Sequence, residues 1–315
     1  MTGLVGSTLL KVLEEKNFPT NTLKLFASEK SLDKECFYKG QTYYVEVLKD
    51  ESFVNLDFVF FCAGTEVSKK WAKVAEGAGC FVIDNSSYFR MDKDVSLIVP
   101  EVNFDKYDYK RKLIANPNCS TIQSVICLNA LKKFGIKRVI YNTYQAVSGS
   151  GIKGINDLTK PNHTFYKHDI KQTCIPQIDT FLDNGFTKEE MKMINETRKI
   201  LGLYDLNISA TCIRVPVLFS HGVSMIVELD KEFEMCDIYN AFGEQKGLIV
   251  VDDITENLYP TGIIATGNDN VYVGRIRKDL FHNKSILFYC VADNIRKGAA
   301  SNAVGIALKI IENSL

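Results

Sequence analysis

The chain lacks an excess of either charge: 38 lysines and arginines stand against 38 aspartates and glutamates in 315 residues. A neutral surface has no driving force for non-specific attachment to phosphate backbones or anionic lipid, so neither nucleic acid nor a membrane is an expected partner. Long apolar runs are missing too. None approaches the ~18 residues that a membrane-spanning helix needs, and the nearest, residues 58–63, reads as a buried strand. The opening Met1-Thr2-Gly3-Leu4-Val5-Gly6 has no basic stretch followed by an apolar one, so no signal peptide is expected. The nine cysteines form no C-x-x-C pair and the four histidines are scattered, which leaves no zinc spacing and no expected metal. Most of these thiols are expected to be small core hydrophobes in a reduced, cytoplasmic protein. Repeats, low-complexity tracts and long Pro/Gly/Ser linkers are also absent.

What is present is ordinary globular composition, 46% apolar and 24% charged, at a length that suits about two domains. The first half alternates helical and short extended apolar segments, the pattern of a doubly wound α/β domain. Residues 7–16 put Leu9, Leu10 and Leu13 on one helical face and stop before Pro19. Residues 23–27, 58–62, 81–83 and 113–115 read as buried parallel strands, with a helix over 69–78. After residue 120 the pattern changes to a helix over 121–134 closed by Gly135, then longer strands at 139–146, 212–218, 223–229 and 285–292. Val223, Met225, Val227 and Leu229 alternate with less apolar neighbours, as a sheet with one packed face requires. A charged helix over 187–201 interrupts these strands and a last helix covers 296–312. The second half therefore reads as mixed, largely antiparallel α+β.

Thr2-Gly3-Leu4-Val5-Gly6 opens directly onto a helix. Glycines there let backbone N–H groups close on a pyrophosphate at the helix N-terminus, although the same residues suit a plain tight turn. About twenty residues on, Ala27-Ser28-Glu29-Lys30-Ser31 ends the next strand, where a nucleotide-binding fold meets the adenosine ribose. Ser28, Lys30 and Ser31 offer two hydroxyls and a cation suited to a 2′-phosphate, which favours NADP; Glu29 argues for NAD. In Asn116-Pro117-Asn118-Cys119-Ser120-Thr121, Cys119 stands at a strand-to-helix junction, where free N–H groups and the helix dipole stabilise a thiolate. Such a thiolate can form a thioester; the alternative is a buried structural thiol. Arg214 and His221 bring a carboxylate-binding cation and a titratable imidazole close along the chain. Glu189 and Lys192, three apart on a helix, share a face, which spacing alone reads as a solvated ion pair. Arg90 is ambiguous in isolation.

The motifs taken together resemble the aspartate-β-semialdehyde dehydrogenases over nearly the whole chain. The markers are the Gly-rich start, Asp84-Asn85-Ser86-Ser87 running to Arg90, Val99-Pro100-Glu101-Val102-Asn103, and the Cys119 segment. They continue through Gln145-Ala146-Val147-Ser148-Gly149-Ser150-Gly151, Ile175-Pro176-Gln177-Ile178-Asp179, Glu189 to Lys192, and Arg214 to His221. Val273-Gly274-Arg275-Ile276-Arg277 and Asp293-Asn294-Ile295-Arg296-Lys297-Gly298 complete the set. The resemblance implies a Rossmann-type nucleotide-binding domain, residues 1–118 and 296–315, with an inserted α+β catalytic and dimerisation domain, residues 119–295, assembled as a homodimer or homotetramer. It implies reduction of aspartyl-4-phosphate by NADPH with release of phosphate, on the route to lysine, threonine and methionine. Carried over by motif, Cys119 is the nucleophile and His221 the acid/base; Arg214 and Glu189 hold the substrate's carboxylate and amine, and Gln145 orients the acyl group. Arg90, Asn118 and Lys192 line the phosphate pocket. Thr2, Gly3, Leu4, Val5, Ser28, Lys30 and Ser31 hold the cofactor's phosphate and ribose end, and Ser148, Gly149 and Asn302 face its nicotinamide.

Two departures from the family pattern carry expectations. An apolar strand and a further glycine normally precede the Thr-Gly pair, whereas Met1 stands directly before Thr2. The chain as written is therefore expected to leave an apolar slot open under the first helix, to be poorly stable or nearly inactive, and to bind cofactor weakly. Gly222 stands after His221 where a small hydroxyl residue or Ala is usual, which is expected to loosen the imidazole. The competing functions are an N-acetyl-glutamyl-phosphate reductase, disfavoured by Glu189 and Arg214, and a catalytically silent relative.

Overall fold

The computed structural model describes residues 2–32, 34–161 and 164–314, which form two compact units. The first comprises Met1–Pro100, Phe104–Pro117 and Ala299–Leu315, the second Glu101–Asn103 and Asn118–Gly298.

In the first unit, α1 (Leu4–Glu15) starts three residues earlier than the leucine periodicity suggests and buries Leu9, Leu10, Val12 and Leu13. It leads to β1 (Leu25–Phe26), then to a hairpin of β2 (Glu35–Tyr38) and β3 (Gln41–Glu46) that the sequence reading passed over. Its turn residues, Lys39 and Gly40, both have positive φ, the geometry that twists a two-residue hairpin correctly; Lys in place of the usual Asn or Asp hides the signal. Next come β4 (Phe58–Phe61), α2 (Thr65–Gly77), β5 (Phe81–Asp84), β6 (Ser96–Leu97) and, after α3 (Pro100–Asn103), of which only Pro100 belongs to this unit, β7 (Leu113–Ala115). One sheet runs β1-β3-β2 and the other, all parallel, runs β4-β5-β7-β6. Val82, Ile83, Leu113, Ile114 and Ala115 are fully buried, as strands covered on both faces must be. Among the described strands, β1 pairs only with β3 and β4 only with β5. A cavity of about 240 Å³ lies between those two open edges, against Leu9, Leu10 and Leu13 of α1. The slot expected under the first helix is thus present.

The second unit is built on α4 (Cys119–Leu131) and a six-stranded sheet. Its further elements are β8 (Ile136–Gln145), α5 (Gly151–Thr159), α6 (Lys188–Leu201), β9 (Asn207–Arg214), β10 (His221–Leu229), α7 (Met235–Glu244), β11 (Leu248–Val250), α8 (Gly262–Ala265), β12 (Val271–Lys278) and β13 (Ser285–Ala292). The strand order is β11-β12-β13-β10-β8-β9, antiparallel at its centre and parallel at the β8–β9 and β11–β12 pairs. α4 is buried almost all round, packed on β8, β10, β12 and β13 and flanked by α6 and α7. The opposite sheet face, with Ile140, Tyr144, Ile226, Leu287 and Tyr289, is only half-buried or exposed.

Two expected elements end differently. The strand expected over 212–218 stops at Arg214, because Pro216 has no N–H to continue a ladder. The last helix does not run evenly from residue 296: Arg296–Ala300 is a π-turn, and α9 (Ser301–Ser314) follows it. Among the described residues no helix is long and apolar enough to cross a membrane.

Candidate active site

Cys119 is the first residue of α4, partly exposed, with Asn118 as the cap. The Asn118 Oδ1 accepts the backbone N–H groups of Ser120 at 2.9 Å and Thr121 at 3.2 Å. This is the ordinary work of an N-cap, and it sets Cys119 where the helix dipole favours a thiolate. The other end of the amide, Nδ2, donates to Glu189 Oε1 at 2.8 Å. The second N–H of that amide is left for a phosphate contact of the kind expected from the sequence. Behind Cys119, a side chain on Gly298 would put its Cβ 2.7 Å from the Cys119 Cβ. Only glycine lets the π-turn lie that close, and no local sequence signal marks it.

α6 begins at a capping box, Thr187 and Glu190, and turns Glu189 inward. The Glu189 carboxylate accepts Gln145 Nε2 at 3.0 Å and Lys192 Nζ at 3.1 Å besides Asn118. Burial opposes its charge, but Lys192 and the two amide donors outweigh it and hold the carboxyl at about 2. The Glu189–Lys192 ion pair read from spacing does form, yet not as a solvated one: Glu189 is 5% exposed. Lys192 also meets Asp179 at 2.9 Å, a partner that sequence reasoning did not assign. Burial would lower the ammonium's pKa, but the two carboxylates raise it.

Arg214 ends β9, its backbone N–H and C=O both paired to Ile175 at 2.8 Å. Its Nη1 donates to the Ala146 carbonyl at 2.7 Å, while the buried Nε finds no partner among the described residues. His221 is the first residue of β10, inside the strand instead of just ahead of it, and fully buried. Its Nδ1 accepts the Ala146 N–H at 3.0 Å and its Nε2 has no partner among the described residues. Burial, and then the charge of Arg214, push the imidazole down to about 3. A Cβ on Gly149 would stand 2.8 Å from Arg214 Nη1 and 3.3 Å from His221 Nε2, so this glycine is the bare wall both groups share. Ser148 exchanges hydrogen bonds with Asn294, which also accepts the Ser220 N–H.

Gly222 does not loosen the imidazole as expected. The space its side chain would fill is taken by the Tyr289 hydroxyl, and Gln123 Nε2 holds the His221 carbonyl at 3.0 Å.

The remaining predicted residues lie in the first unit. Thr2 and Gly3, the latter the extended cap of α1, line a cavity of about 480 Å³ with Ser28, Cys62 and Ala63. Leu4 and Val5 form the first turn of that helix, and Thr2 Oγ1 donates to Ser31 Oγ at 3.3 Å. Lys30 is exposed in the adjoining turn and does not line the cavity. Arg90 is buried and donates to the Asn85 carbonyl at 2.8 Å. Asn302, also buried, donates to the Ile98 carbonyl at 3.0 Å and to Asn116 Oδ1 at 2.7 Å.

Residues 1–109 match the family described as semialdehyde dehydrogenase, NAD binding domain, and residues 128–297 match semialdehyde dehydrogenase, dimerisation domain. The expected pairing of a Rossmann-type domain with an α+β dimerisation domain is borne out by these matches. The chain is 48% identical over 329 residues to an aspartate-semialdehyde dehydrogenase of Aquifex aeolicus, covering 100% of this chain and 97% of the relative. It is 44% identical to that of Campylobacter jejuni, covering 99% of this chain and 95% of the relative. Among solved structures, aspartate semialdehyde dehydrogenase II of Vibrio cholerae complexed with ASA superposes with a TM-score of 0.95 at 40% identity, covering 100% of this chain and 97% of that one.

Proposed function

Because the chain belongs to the aspartate-semialdehyde dehydrogenase family, we propose that it reduces L-aspartyl-4-phosphate to L-aspartate-4-semialdehyde through a Cys119 thioester, with NADPH, in amino-acid biosynthesis. The observation that carries this reading is the Cys119 turn tied through Asn118 to Glu189 and Gln145, in the same unit as Arg214 and His221. The helix-terminal thiolate attacks the acyl carbon, the carbon–oxygen bond to phosphate breaks, and a thioester forms on Sγ. Lys192 supplies positive charge for the departing phosphate. The unpaired Nε of Arg214 suits the substrate's α-carboxylate, and Glu189, held ionised, suits its amine.

The role of His221 follows from its hydrogen bond. A backbone N–H can only donate, so Nδ1 accepts, and the neutral ring carries its proton on Nε2. With its pKa at about 3 it stays neutral and donates that N–H to the acyl oxygen. It thus stabilises the oxyanion when the thioester is reduced, and the hemithioacetal collapses by expelling the Cys119 thiolate. When bound, the nicotinamide cofactor supplies the hydride for that reduction.

The first unit fits such a cofactor: a helix N-terminus without a side chain at Gly3 opens on the cavity of about 480 Å³. Ser28, Lys30 and Ser31 beside it support NADP over NAD. The half-buried sheet face carrying Tyr144, Ile226 and Tyr289, together with the dimerisation-domain match, supports a homodimer. Nine cysteines, none of them in a disulfide, support a reducing, cytoplasmic setting.

The test is the purified enzyme assayed with aspartate semialdehyde, NADP and inorganic phosphate. NADPH should form only when phosphate is present, and aspartyl phosphate without NADPH should leave an aspartyl adduct on Cys119 by mass spectrometry. Cys119→Ser should abolish both. Phosphate-independent turnover, or an active Cys119→Ser enzyme, would overturn the thioester route.

A further inference from the structure

Glu196 is a carboxylate no mechanistic step uses, 2% exposed and two helical turns beyond Glu189 on the same face of α6. Its Oε2 accepts the backbone N–H of Asn118 at 2.6 Å, across 78 residues of sequence. Two of the three carboxylates of α6 therefore grip one residue, Glu189 by its side-chain amide and Glu196 by its main chain. Between them Met193 Sδ accepts the Thr121 hydroxyl at 3.5 Å, so α6 holds the start of α4 at three successive heights. The amide held belongs to the residue directly ahead of Cys119.

We infer that Glu196 is a positioning residue for the nucleophile: by fixing the Asn118 main chain it sets the direction from which Cys119 Sγ meets the acyl carbon. Asn118 capping fixes the helix that follows Cys119, and Glu196 fixes the chain that enters it. Together they leave the Cys119 backbone no freedom to swing. The inference rests on Cys119 being the acylated residue.

The test separates reach from charge. Glu196→Gln keeps the reach and an acceptor oxygen, Glu196→Asp keeps the charge but withdraws it by one methylene, and Glu196→Ala removes both. In the full-length enzyme, the rate of Cys119 acylation, kcat, KM for the semialdehyde and the melting temperature are measured for each. Asp and Ala are expected to lose about 10- to 100-fold in acylation rate and kcat, as a misplaced nucleophile does, with KM within about twofold. Gln is expected to lose no more than about threefold. The inference is overturned if folded Asp and Ala variants keep their kcat, if the loss falls on KM, or if Gln is as poor as Ala. It is also overturned if Asp and Ala both fail to fold while Gln is unchanged, which would make Glu196 a stability residue only. Absence of any acyl adduct on wild-type Cys119 would strike the nucleophile assignment itself, a result distinct from all of these.

Discussion

The Ala146 main chain holds two side chains of the candidate site: its N–H donates to His221 Nδ1 at 3.0 Å and its carbonyl accepts Arg214 Nη1 at 2.7 Å. One peptide residue thereby fixes the tautomer of the imidazole and the aim of the guanidinium, and it brings a permanent cation near a ring that must stay neutral.

This has a pH signature. In the unfolded chain His221 takes up its proton near 6.5, whereas burial and then Arg214 delay protonation to about 3 in the folded protein. The unfolded state binds more protons below 6.5, so the associated stability is full above that pH and is lost as pH falls toward 3. Glu189 adds a second loss in the same direction, present in full above 4.5 and gone as pH falls through about 2. Urea midpoints measured at steps from about pH 7.5 down to pH 5 should fall, and His221→Gln should flatten that fall. kcat should show no limb near pH 6.5 that disappears in the same variant; such a limb would mean the imidazole titrates during turnover.

Gly149→Ala should damage catalysis more than folding. Its Cβ would stand 2.8 Å from Arg214 Nη1 and 3.3 Å from the imidazole Nε2, and both groups are already pinned to Ala146. Displacing either by a fraction of an ångström should cut kcat/KM by about 100-fold, with the melting temperature nearly unchanged. An alanine enzyme with wild-type kcat/KM would show that these groups do not need that wall.

Cofactor choice is tested at Lys30. It is exposed in the turn next to Ser31, which is held by Thr2 at the edge of the cavity of about 480 Å³. Lys30→Ala should raise KM for NADP more than for NAD, because only the former has a 2′-phosphate for the ammonium to meet. Equal changes for both cofactors would mean that Lys30 does not reach that phosphate.

The open edges of β1 and β4 predict a gain in stability. A version extended ahead of Thr2 by ~5 β-branched apolar residues, the length of an ordinary strand, can pair with both edges and fill the cavity against Leu9, Leu10 and Leu13. Even a few side chains buried at ~25 cal/mol per Å² amount to several kcal/mol. Calorimetry with and without NADP should show a higher melting temperature and a larger shift on adding NADP for the extended chain. Equal melting of the two would show that the cavity costs nothing.

What the sequence determined by itself is whatever a few neighbouring residues decide. The Asn118 cap puts Cys119 at a helix start, the Thr187 and Glu190 box starts α6, and Gly135 closes the first helix of the second unit with positive φ. The alternation of Val223 to Leu229 named the packed face of β10. The ordered motifs carried the family, because chemistry constrains residue types at short spacing. Tertiary structure decided everything set by a partner far along the chain. Spacing made Glu189 and Lys192 a surface pair; the fold buries the carboxylate, and Lys192 with the Asn118 and Gln145 amides holds it ionised at neutral pH. Gly222 read as a loosening until Tyr289 from the neighbouring strand took its space, and Gly298 read as helix until the π-turn brought it against Cys119. The proton on His221 Nε2 and the grip of Glu196 on Asn118 had no sequence signal at all. Each depends on one hydrogen bond whose two ends meet only when a strand register or a helix packing brings them together, and local residues do not encode that distance.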